Sequence, residues 1–112
     1  MHSPLRQQLL DQTIALITQL RPLVESVARH DRELASQIRR ASSSIALNLA
    51  EGFGSKAGNA RLRFDSARGS LYEATAGLRV AVAWGYLTEN AASEVLDALD
   101  ALGARVYGLC RG

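Results

Sequence analysis

Cysteine occurs once in these 112 residues, at position 110. No intrachain disulfide can form, and the expected compartment is a reducing one, the cytoplasm. Histidine occurs only at His2 and His30. A di-metal site in a helical bundle needs inward carboxylates and Glu-x-x-His pairs, and neither Glu25 nor Glu33 stands three residues before His30, so no metal or cofactor is expected. Aromatic residues make up 5%, which leaves any core to Leu, Val, Ile and Ala. No apolar run approaches the roughly 20 residues of a membrane span. The opening "MHSPLRQQLLDQT" has neither a long apolar stretch nor a small-residue cleavage site, so it does not read as a secretory signal. A net charge of +2 is too small to imply nucleic-acid binding by itself.

What is present is helical. Hydrophobic residues reach 47%, enough for one small core. A first helix is predicted over about 5–29. Leu5, Leu9, Leu16 and Leu20 share a side, Ser3 and Pro4 form its start, and a kink is expected at Pro22, which has no N–H to give. Leu5, Leu10, Ile14, Val24 and Val27 fall off the main seam and read as surplus apolar surface. A second helix is predicted over 31–51, capped by Asp31 and stopped by Gly52 and Gly54. A third covers 59–84, with Phe64, Ala67, Leu71, Leu78 and Val82 on one face. A fourth covers 88–109, opened by Thr88, with Val95, Leu99, Leu102, Val106 and Leu109 spaced four and three apart, the seam of a left-handed bundle. There is no strand pattern, so residues 1–112 are expected to form one all-α domain, an antiparallel up-down-up-down four-helix bundle.

Charge is uneven. Lys56, Arg61, Arg63, Arg68 and Arg79 outnumber Asp65 and Glu73 by three, while Glu89, Glu94, Asp97 and Asp100 outnumber Arg105 by three. A basic third helix and an acidic fourth complement each other within one bundle, attract between copies, or leave a basic face for a polyanion.

"SSIALNLAEGFG" (43–54) carries the most unusual pattern. At 100° per residue Gln37, Arg40, Ser44, Asn48 and Glu51 fall within about 80° of one another, with leucine on their flank. The stripe reads either as a solvated face or as a half-buried row satisfied by partners on another helix, with Arg40, Arg68, Ser70 and neighbouring backbone N–H groups as the candidate donors. Small residues on helix three (Ser66, Ser70, Ala74, Gly77, Ala81) and helix two (Ser42, Ser43, Ala46, Ala50) would let the two backbones approach, and Gly69 and Gly77 inside a helix call for a packing reason. Nucleophilic catalysis is not supported, because Ser42, Ser43 and Ser44 have no histidine within reach. Glu51 and Glu73 alone make a weak carboxylate pair. "GFGSKAG" lacks the order of a phosphate loop.

"QIRRASSSIALNLAEGFG" (37–54) followed by "RFDSARGSLYEA" (63–74) resembles the bacterial family named after proteins encoded in intervening sequences of 23S ribosomal RNA. Gln37, Arg39, Arg40, Ala41, Ser44, Ile45, Asn48, Ala50, Glu51 and Gly52 match the first part of its pattern, and Ala67, Gly69, Ser70, Leu71 and Glu73 the second. Ala46 replaces a proline common in the family, so a straighter second helix is expected. The region after Gly54 has fewer lysines than many relatives. The resemblance implies a non-enzymatic bundle that assembles into a homopentamer. It is also similar to the accessory protein of diversity-generating retroelements, which implies RNA or a nucleic-acid enzyme as alternative partner. On this reading Ser44, Asn48, Glu51, Ser70 and Glu73 form a structural polar network, and Lys56, Arg61, Arg63, Arg68 and Arg79 are the candidate nucleic-acid contacts.

Overall fold

A computed structural model describes residues 4–111; Met1, His2, Ser3 and Gly112, and with them the Ser3 cap, lie outside the described residues. The chain forms four helices: α1 (Pro4–Ala28), α2 (Arg32–Phe53), α3 (Ala57–Ala83) and α4 (Glu89–Arg111). Each packs on its neighbours in the order α1–α2–α3–α4–α1, so α2 lies diagonally across from α4. This is an all-α four-helix bundle, 43 × 22 × 20 Å. No helix among the described residues is long and apolar enough to cross a membrane.

The caps are local chemistry. The Asp31 carboxylate accepts from the Leu34 N–H at 2.9 Å, and the Thr88 hydroxyl accepts from the Ala91 N–H at 3.0 Å, satisfying first-turn amides that lack helical partners. α3 ends in a Schellman motif: Gly85 adopts φ +80°, its N–H reaches the Val82 carbonyl at 2.9 Å and the Tyr86 N–H reaches the Ala81 carbonyl at 2.9 Å. His30 and Tyr86 then stack at 5.1 Å, joining the α1–α2 and α3–α4 turns at one end of the bundle. At the other end Arg6 donates to the Phe53 carbonyl at 2.9 Å, a cation against the C-terminal dipole of α2.

α1 continues through Pro22 as one helix. Thr18 and Pro22 are both exposed, so water can serve the Thr18 carbonyl that proline leaves without its amide donor. α2 does not stop at Gly52. It continues to Phe53, and Gly54 closes it at φ −93° without left-handed backbone. Gly52 serves packing instead: a Cβ there would sit 2.4 Å from Cε1 of Phe64. Val24 and Val27, expected as surplus surface, are buried core residues, whereas Leu5 and Ile14 are exposed. Phe64 and Val82 pack against the core from a half-buried position.

The core is aliphatic, built on Leu9, Leu20, Ile45, Leu49, Leu78 and Leu99 among others. Two polar residues lie within it. Thr13 donates to the Leu9 carbonyl at 2.8 Å and Ser42 to the Ile38 carbonyl at 2.7 Å. Each hydroxyl is thereby satisfied inside its own helix.

Candidate functional site: the α2–α3 seam and its flanking cleft

α2 and α3 form the most closely packed helix pair. Gly77 permits this: a Cβ there would lie 2.7 Å from Cγ1 of Ile38. Gly69 has no such role, since a Cβ at that position meets nothing within 4 Å. The small strip of α2 is also re-assigned. Ser42 and Ser43 line a groove against Ile17, Arg21 and Val24 of α1, and Ser43 also borders the cleft lined by Arg63 of α3.

On the α3 side of α2, close approach brings hydroxyls into bonding range. Ser70 donates to the Ser44 hydroxyl at 2.9 Å, and Asn48 donates both to that hydroxyl and to the Ser44 carbonyl, each at 2.9 Å. The three residues form one half-buried clasp across the helix pair. One turn further on, Arg63 of α3 pairs with Glu51 of α2 at 2.8 Å, with the two side chains 43% and 58% exposed. Glu51 is thus a surface carboxylate held by an arginine. Glu73, placed in the same network from sequence, is exposed on α3 and takes no part in these bonds. Gln37 and Arg40 are exposed as well, so the five-residue stripe is half clasp and half surface.

Its surface half borders an open cleft of about 520 Å³ lined by Arg39, Arg40, Leu47, Asn48, Glu51 and Arg63. The cleft is charged, with three arginines and Glu51 on its walls. No histidine or cysteine lines it, and among the described residues no group of His, Cys, Asp and Glu is arranged to hold a metal ion.

The five candidate nucleic-acid contacts do not share one face. Arg61, Arg68 and Arg79 fall within about 20° of each other on α3, while Arg63 lies on roughly the opposite side. Lys56 is exposed at the helix start. Arg68 borders a cleft that also contains Asp100 of α4, and Arg79 a second cleft that also contains Glu89. Arg68 is also the centre of an aromatic cluster. Its Nε donates to the Tyr72 hydroxyl at 3.1 Å, and its guanidinium lies 5.3 Å from the Tyr72 ring and 4.7 Å from that of Tyr107. The bond to Tyr72 chiefly holds the Arg68 pKa above its ordinary value. The sequence shows only part of this cluster. Tyr72, four residues after Arg68, was visible there as a helical neighbour, but Tyr107 comes from α4 and joins only through packing. Nearby, burial and then Asp65 push the Cys110 thiol above the usual thiol range.

The profile of the 23S rRNA-intervening sequence proteins matches residues 7–108. The chain belongs to that family. Among solved structures it is similar to a protein of unknown function from the S23 ribosomal protein family of Bacteroides thetaiotaomicron, with a TM-score of 0.84 and 14% identity, covering 93% of this chain and 99% of the other. At that identity the likeness concerns the fold. No curated protein matches the chain. The stretches that carry the 23S rRNA-intervening sequence pattern supply the Ser44–Asn48–Ser70 clasp, the Gly52–Phe64 contact and the cleft beside them. Much of the pattern is therefore wiring of the α2–α3 pair.

Proposed function

We propose that this 23S rRNA-intervening sequence protein is a non-enzymatic, self-assembling helical scaffold of the cytoplasm, one bundle domain per chain. The supporting observation is apolar surface on helix exteriors: Leu47 of α2 is 66% exposed, Leu62 of α3 65%, and Trp84 at the end of α3 71%. Large apolar side chains of this kind, set among small and charged residues, are typical of association surfaces. The resemblance noted above favours a pentamer. The test is native mass spectrometry or light scattering of the purified protein at micromolar concentration. A defined multimer is expected, and a monomer would sink the proposal.

The Arg68–Tyr72–Tyr107 cluster favours a second reading, RNA or nucleoprotein binding along the α3–α4 groove. Cationic and stacking side chains together suit single-stranded nucleic acid. Binding to a structured RNA with single-stranded loops that falls steeply between low and physiological salt is the expected result. No binding at low salt removes this reading.

A further inference from the structure

We propose that the outer face of α2 docks on the outer face of α4 of a second copy, so that Asp97 of the next copy completes the Arg39–Arg40 cleft. This rests on the self-assembly reading and specifies its interface. Arg39 and Arg40 are exposed, as are Glu94 and Asp97. Among the described residues none of the four has an ion-pair partner in its own chain. One face is therefore unpaired and basic, the other unpaired and acidic.

The two faces also match in register. α2 and α4 run in the same direction, both starting at the end where His30 stacks on Tyr86. Arg40 and Asp97 each lie eight residues past the first residue of their helix, and Leu47 and Ala104 each lie fifteen past it. At a rise of about 1.5 Å per residue both pairs are level along the bundle. On α2 the outward positions are Arg40, Ser43, Leu47 and Glu51. On α4 they are Asp97, Ala101, Ala104 and Gly108, the last three exposed and small. Both sets repeat at spacings of three and four, the pattern that lets parallel helices interlock. The exposed Leu47 then meets Ala101, Ala104 and Gly108, where no large side chain stands in its way. Because α2 and α4 are diagonal, each copy would use one face toward each neighbour. Such a contact is heterologous, and it closes into a ring when the rotation between copies permits.

Charge reversal and charge swap test this. Native mass would be measured for the wild type, Arg40→Glu, Asp97→Arg and the chain carrying both, with helicity by circular dichroism as the folding control. Each single reversal is expected to weaken assembly about tenfold or more, and the double variant to restore it. A multimer unaffected by either reversal overturns the α2–α4 interface while leaving self-assembly standing. Loss of assembly in both singles without recovery in the double overturns the Arg40–Asp97 pairing. A monomeric wild type overturns the self-assembly reading itself.

Discussion

Gly77 and Gly69 stand in different surroundings on α3, and substitution separates them. At Gly77 a methyl group must displace Cγ1 of Ile38, 2.7 Å away. Gly77→Ala should cost about 1–3 kcal/mol of stability by overpacking. At Gly69 the same change meets open space inside a helix, so Gly69→Ala should stabilise by about 0.5–1 kcal/mol. Chemical denaturation of the two variants checks the contrast, and equal effects would contradict it. Ser70→Ala removes the bond that bridges the helices and should destabilise by about 0.5–1.5 kcal/mol. The Ser44 hydroxyl keeps its bond from Asn48, which places this change at the milder end. Cys110 illustrates a residue whose environment dulls it. Its raised pKa leaves less thiolate at any pH below it, so iodoacetamide should label Cys110 at pH 7–8 more slowly than an unstructured peptide thiol. Equal rates would show that the thiol is not shielded.

At the scale of the helix, periodicity made most of the architecture legible. The α4 seam is buried at Val95, Leu99, Leu102 and Val106 and half-buried at Leu109, because one face of a helix repeats every three and four residues whatever packs against it. Element ends were less legible where a long-range contact decided them. Gly52 looked like a stop, yet the ring of Phe64, twelve positions along, requires a residue without a Cβ there and α2 continues past it. Pro22, the site of the expected kink, lies on the exposed side of α1 where the freed carbonyl can be solvated. Pro22→Ala should therefore straighten no buried contact, and should raise stability by about 1–3 kcal/mol through the regained amide donor. A lower melting temperature in that variant would mean that the proline is needed where it stands.

For the whole molecule, the distribution of charge matters more than its total. Arg68 and Arg79 of α3 share clefts with Asp100 and Glu89 of α4, while Arg39, Arg40, Glu94 and Asp97 are exposed where another copy can reach them. Attraction between such exposed charges is screened by salt. If the α2–α4 contact operates, raising ionic strength should therefore weaken assembly of the wild type. The Leu47 contact should be much less sensitive, so assembly that strengthens with salt would point to a mainly apolar interface elsewhere.

The helix number, the direction of each apolar face and most of the caps follow from residues within a few positions of one another, which is why composition and spacing sufficed for them. The family pattern was readable in the same way. What packing alone decided was azimuth: which strip of α2 faces α1 and which faces α3, and whether Arg68 finds a tyrosine on another helix. Those pairings join residues from 12 positions (Glu51 to Arg63) to 39 positions apart (Arg68 to Tyr107). A polar stripe therefore reads identically in sequence whether it becomes a clasp, as at Ser44 and Asn48, or a surface, as at Arg40 and Glu51. Only the approach of α3, set by Gly77 and Gly52, separates the two.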